Sequence, residues 1–214
     1  MKWGTKYPSC YVNNIYAKLK RTLSCSNIIY CFTDDGSGID PEIPIIKIPE
    51  FSHNFNRRIL LFKKGFSNGM CCVIDLDINI IHDFSHFINT KTDGITVINS
   101  HWKNTSEYKN IHSANHGYRT TINGSITSWY ADDPYVCEIY DHFMSDPIYY
   151  TAKYHDDHLT WGSIDQFVEW EHLRYNTFLD EIAFSHSLGP HDDDVNYCVE
   201  LYHRGSYEEL YATN

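Results

Sequence analysis

Apolar and polar positions alternate along this chain in short bursts, and the period of each burst predicts a different element. Tyr11, Val12, Ile15, Tyr16 and Leu19 recur at helical spacing with Lys18, Lys20 and Arg21 towards the end, which predicts a first amphipathic helix. Residues 27–33 are β-rich and stop at the turn cluster Asp34-Asp35-Gly36-Ser37-Gly38. Residues 43–49, bracketed by Pro44 and Pro49, predict a short edge strand. Residues 56–64 carry helical periodicity that ends at Gly65. The apolar run 70–81 predicts a buried strand, residues 95–98 and 122–129 two more, and residues 135–144 and 163–173 two helices. Strands alternating with helices, without an internal repeat, predict a single α/β domain over residues 1–214.

Two acids interrupt the apolar run 70–81. Residues two apart on a strand point the same way, so Asp75 and Asp77 share one face while Leu76 turns to the core. Burying an unpaired carboxylate is expensive, so the pair calls for a positive partner, and a divalent metal held by oxygen ligands answers that need. Its place at the end of a strand is where open α/β sheets bind ligands. The spacing alone is weak evidence, since Asp192-Asp193-Asp194 repeats it in a polar stretch that reads as a solvated loop. His155-Asp156-Asp157-His158 also has metal-ligating residues, but no apolar strand fixes it, and it reads as an exposed turn.

Length and charge narrow the picture. A chain of 214 residues, 42% hydrophobic, can bury a full single core. A net charge of −11 argues against a nucleic-acid partner, because phosphate binding needs clustered Lys and Arg. The charge is uneven: residues 1–110 sum to +3 and residues 111–214 to −14, so an anionic ligand finds its cations in the first half. No apolar run reaches bilayer length, and none follows Met1-Lys2-Trp3-Gly4, which predicts no membrane span and a cytoplasmic location. Seven irregularly spaced cysteines read as reduced, and adjacent Cys71 and Cys72 should face opposite sides of their strand.

The order of local patterns resembles that of metal-dependent glycosyltransferases of the GT-A fold, particularly small transferases of large DNA viruses and bacteria. The resemblance rests on Lys2-Trp3-Gly4-Thr5-Lys6-Tyr7, then Tyr11-Val12-Asn13 and Ile15-Tyr16, then Cys31-Phe32-Thr33-Asp34-Asp35, then Asp75-Leu76-Asp77. It covers nearly the whole chain and extends to a chlorella-virus branch implicated in decorating the major capsid protein. It implies a mixed central sheet flanked by helices, and transfer of a sugar from a UDP-sugar donor to a glycan or glycoprotein acceptor with Mn²⁺, or Mg²⁺, as cofactor.

Carried over by position, the resemblance implies that Gly4, Thr5 and Lys6 border the nucleoside and that Asp34 and Asp35 address base or ribose. Arg58 takes the place of a basic residue close to the metal-binding acids, and Asn123-Gly124-Ser125 that of a small-residue segment lining the sugar pocket. Asp165-Gln166 matches an Asp-Gln pair on the far wall, with Asp165 a general base if the reaction inverts. His203 would join Asp75 and Asp77 on the metal, and Arg204 would meet the diphosphate. One departure stands out: His203-Arg204-Gly205-Ser206 replaces the His-Gly-Lys-Pro more common in relatives. The acid pair also suits a nucleotide-sugar hydrolase or nucleotidyltransferase, and the fold suits a non-catalytic carbohydrate-binding domain.

Overall fold

The computed structural model describes residues 1–24, 28–53, 55–104, 120–154, 164–185 and 194–202. Helix α1 (Ser9–Thr22) buries Tyr11, Val12, Ile15 and Leu19, the stripe its periodicity predicts, and Lys20 and Arg21 sit in the last turn, where cations offset the helix dipole. Strands β1 (Cys31–Thr33) and β2 (Ile45–Lys47) form a parallel pair, and Lys2 bridges to Thr33 on the other side of β1. Every residue of β2 is exposed, as suits an edge bracketed by prolines.

The helix expected over 56–64 is instead a 3-10 segment, Arg57–Phe62, whose first turn is closed by the Asn56 side chain accepting from the Arg58 N–H at 3.0 Å. Arg58, Ile59, Leu60, Leu61 and Phe62 are all buried. A run buried on every side gains nothing from a 3.6-residue period, and the tighter coil packs it between sheet and helices.

Strand β3 (Met70–Ile74) does not continue to residue 81. It ends before Asp75, and a separate strand β4 (Ile78–Ile80) begins after Asp77. Helix α2 (Ser85–Ile88), β5 (Ile95–Asn99), β6 (Ile122–Tyr130), α3 (Pro134–Ser145), α4 (Pro147–Lys153), α5 (Ile164–Trp170), β7 (Tyr175–Thr177), β8 (Ala183–Ser185) and β9 (Val199–Leu201) follow. The main sheet has the order β3-β6-β5-β7, with β7 parallel to β5 and the other pairings antiparallel. A second sheet has the order β4-β9-β8.

Two apolar cores lie on either side of the main sheet. One gathers α1 with Leu76, Ile78, Ile80, Ile98, Ile126 and Val199. The other gathers the 3-10 segment with Val73, Val97 and Trp129 and with Phe143, Tyr154 and Phe167 from the α3–α5 side. Cys72 packs on the first core and Cys71 on the second, the opposite facing that adjacent strand positions require. The six described cysteines are free. Fully buried Phe55, Phe143 and Phe167 pack together in the second core, Phe167 edge-on to the other two, each burial favouring folding by about 1.5–3 kcal/mol. Among the described residues no helix is long and apolar enough to cross a membrane.

Candidate active site

The break between β3 and β4 makes the site. The Asp75 N–H donates to the Ser125 carbonyl at 2.8 Å, extending the β3–β6 ladder by one rung. Two residues later the Asp77 carbonyl accepts from the Tyr202 N–H at 3.1 Å, beside the β4–β9 ladder. Between them Leu76 is buried. The chain therefore passes from one sheet to another at the two acids, and both line a cleft of about 190 Å³. Continuing β3 straight would carry Asp77 along the sheet; changing sheets holds both carboxylates at its edge, where open α/β sheets bind ligands.

The cleft also takes in Trp3, Lys6, Tyr7, Asn56, Arg58, and the segment Asn123-Gly124-Ser125. That segment arrives through an irregularity: the β5–β6 register jumps between Val97, opposite Thr127, and Ile98, opposite Asn123, so residues 124–126 face no partner on β5. The Arg58 guanidinium fills the space beneath. One Nη donates to the Gly124 carbonyl and the other to Asp75 Oδ1, while Arg58 is only 3% exposed. Its Nε, also buried, has no hydrogen-bond partner among the described residues. Gly124 is required for this approach, because a Cβ there would lie 2.5 Å from Asp165 Oδ1 and 2.7 Å from Arg58 Nη1. Asp165, in the first turn of α5, thus reaches the same spot as Arg58.

Asp77 is in a different electrostatic position from its neighbour. Burial first, then the charge of Asp75, push its carboxyl up to about 6, against the opposing pull of Lys6 and of the Tyr7 hydroxyl, which donates to Oδ2 at 2.9 Å. A carboxylate that protein groups alone leave this reluctant to ionise gains from a cation, and the two acids fit a hard divalent ion completed by oxygens from ligand or water. Among the described residues no group of three or more His, Cys, Asp and Glu side chains gathers into a full metal cage. His203 and Arg204, the other residues assigned to metal and diphosphate, lie outside the described residues, as do His155-Asp156-Asp157-His158, Asp192 and Asp193.

The remaining candidates divide between cleft and surroundings. Lys6, Arg58, Asn123 and Asp165 line the cleft with the acid pair. Gly4, Thr5, Asp34, Asp35 and Gln166 are not among its lining residues. Gly4, at φ +63°, donates its N–H to Asp34 Oδ2 at 2.8 Å, and Asp35 Oδ1 accepts from the Ser37 N–H at 2.9 Å, so Asp34 ties the loop before α1 to the one after β1 and Asp35 braces the latter. Gln166 is buried on α5. Tyr7 and Asn56 are lining residues to which sequence reasoning gave no role. Tyr7 stands in the opening motif, but its contact with Asp77 spans 70 positions and leaves no local trace.

The mixed sheets and flanking helices are those of the GT-A fold. Among solved structures the chain is similar to the galactosyltransferase LgtC, determined in complex with donor and acceptor sugar analogues, at 11% sequence identity and a TM-score of 0.51 over 94% of this chain and 91% of that one. No family model matches the sequence, and no curated protein matches it.

Proposed function

We propose that residues 1–214 form one catalytic domain that transfers a sugar from a UDP-sugar to a hydroxyl on a glycan or glycoprotein, with Mn²⁺, or Mg²⁺ in its stead. The single observation carrying this reading is that Asp75 and Asp77 face one cleft with Arg58, Lys6 and Asp165, at the edge of a GT-A sheet. Asp75 and Asp77 would hold the metal, with His203 as a third ligand. When bound, that ion neutralises the charge gathering on the departing diphosphate.

The chain's own groups account for the rest. Lys6 and Arg58 bring two positive charges to a cleft that must accept a diphosphate, and Arg204 would add a third. During transfer the bond between the sugar's anomeric carbon and the diphosphate oxygen breaks, its electron pair leaving with UDP, and the acceptor oxygen bonds to that carbon. Asp165, which lines the same cleft, takes the acceptor proton in an inverting reaction. The buried 3-10 segment and α5 keep these groups on rigid elements.

The test is turnover of a panel of UDP-sugars with Mn²⁺ in the presence and absence of acceptor saccharides, reading both UDP and sugar phosphate. Acceptor-stimulated UDP release supports transfer, with loss of that stimulation in Asp165→Asn while UDP still binds. Sugar phosphate as the product would indicate cleavage inside the diphosphate, hence a hydrolase or nucleotidyltransferase. Saccharide binding indifferent to Mn²⁺ and UDP, without turnover, would indicate a binding module.

A further inference from the structure

We propose that Tyr7 selects the cation of this site, by occupying one oxygen of Asp77 and so favouring a small octahedral ion over Ca²⁺. The inference rests on the reading that the acid pair holds a metal, and goes beyond it by assigning the choice of metal to a residue that is not itself a ligand.

Each acid has one oxygen already engaged by a protein donor: Asp75 Oδ1 by Arg58, Asp77 Oδ2 by the Tyr7 hydroxyl. Neither donor is free to drift. Arg58 is buried and also tied to the Gly124 carbonyl. The Tyr7 ring lies 5.3 Å from the ring of Tyr11, a buried residue of α1, and Lys6 Nζ sits 4.7 Å from its centroid on a further contact. An engaged oxygen keeps a lone pair, but bidentate ligation at either acid must share it with a buried or packed protein donor, so one oxygen from each acid is the arrangement that disturbs neither hydrogen bond.

That count discriminates between ions. Ca²⁺ takes six to eight oxygens in flexible geometry and commonly a bidentate carboxylate, whereas Mg²⁺, the smaller ion, keeps octahedral geometry with one or two carboxylates plus phosphate oxygens and water, and Mn²⁺ shares that preference for six oxygens. Two carboxylates each limited to one oxygen suit the second pattern. Releasing Asp77 Oδ2 makes bidentate ligation available and moves the site towards the first.

The experiment compares the chain with Tyr7→Phe, which keeps the ring and removes the hydroxyl. Isothermal titration with MnCl₂ and with CaCl₂, each alone and with UDP, gives the ratio of the two affinities, and Tyr11→Phe serves as a control that alters the neighbouring ring but no oxygen of Asp77. The expected result is a shift of about tenfold in favour of Ca²⁺ in Tyr7→Phe only, the scale on which partners of metal ligands act. A general loosening of the site would weaken both metals together and leave the ratio alone, so an unchanged ratio overturns the proposal even if both affinities fall. Absence of saturable Mn²⁺ binding in the unaltered chain would overturn the metal reading itself, a distinct outcome seen before any variant is made.

Discussion

Two polar clusters in this molecule are built from similar side chains and settle their charges in opposite ways. Across the α3–α5 side, Glu171 receives hydrogen bonds from Lys153 at 2.6 Å and from Tyr154, and shares a 3.2 Å contact with His142, which in turn meets the Tyr150 hydroxyl at 3.0 Å. Burial works against the Glu171 charge, but these donors outweigh it and hold the carboxyl down at about 2. In the cleft, two acids share one buried guanidinium and one phenol, burial dominates, and Asp77 rises to about 6. The first cluster is complete without anything added and ties three helices together. The second sets Arg58 and Lys6 against three carboxylates, Asp75, Asp77 and Asp165, and such a shortfall is what a binding site retains for its ligand.

The largest effect should come from removing the two acids that face the cleft. Asp75→Ala or Asp77→Ala is expected to lower sugar transfer by about 10³-fold, the scale of losing a charge-stabilising group, with the fold intact, although Asp75→Ala also costs stability by leaving the buried Arg58 guanidinium without its carboxylate. Full activity in either would break the contrast between the clusters. Glu171→Ala should do the reverse. It leaves the fully buried Tyr154 hydroxyl short of its acceptor and should destabilise the fold by about 2–3 kcal/mol in urea unfolding, with kcat unchanged. Smaller again is Gly124→Ala, whose added methyl must push Arg58 and Asp165 apart. A tenfold loss of kcat, roughly 1.4 kcal/mol, with nearly normal stability would tie that close approach to the chemistry.

Much of this contrast was hidden from the sequence for a physical reason. Periodicity is a local property, so α1, β5, β6 and α3 stand nearly where their patterns put them. The acid pair was also legible, because carboxylates inside an apolar run conflict with burial. The split into β3 and β4 was not, since the run 70–81 stays apolar while the hydrogen-bonding partner changes from β6 to β9, and only distant segments record that change. The 3-10 segment misled in the same way, its buried face being set by packing on both sides. Glu171, just past the end of α5, and its donors on α3 and at the end of α4 lie 17 to 29 positions apart, and α4 carries no amphipathic signal strong enough to announce it. Tyr7 could be named from the opening motif but not assigned, because its partner is across the fold.

The smallest effect sharpens the comparison most, because the clusters should respond to pH with opposite sign in adjoining windows. Glu171 has a depressed pKa, so its contribution to stability is present above its ordinary 4.5 and is lost as pH falls towards about 2. Asp77 has a raised one. The folded protein binds that proton more tightly than the unfolded chain, so its contribution is full below the ordinary 3.8 and disappears as pH rises through about 6. Because the cleft admits water, this amounts to about 1–2 kcal/mol, less than the same change would give for a carboxyl sealed from solvent. Thermal midpoints of the metal-free chain, followed from pH 4 to 7 and compared with Asp77→Asn, should therefore show a fall of a few degrees in the parent that the variant lacks. Mn²⁺ requires the ionised carboxylate, so its stabilising effect should grow across the same interval, as binding displaces fewer protons. A parent and an Asp77→Asn variant with parallel pH profiles would mean that Asp77 ionises as easily as a surface acid, and the deficit that separates the cleft from the Glu171 cluster would be gone.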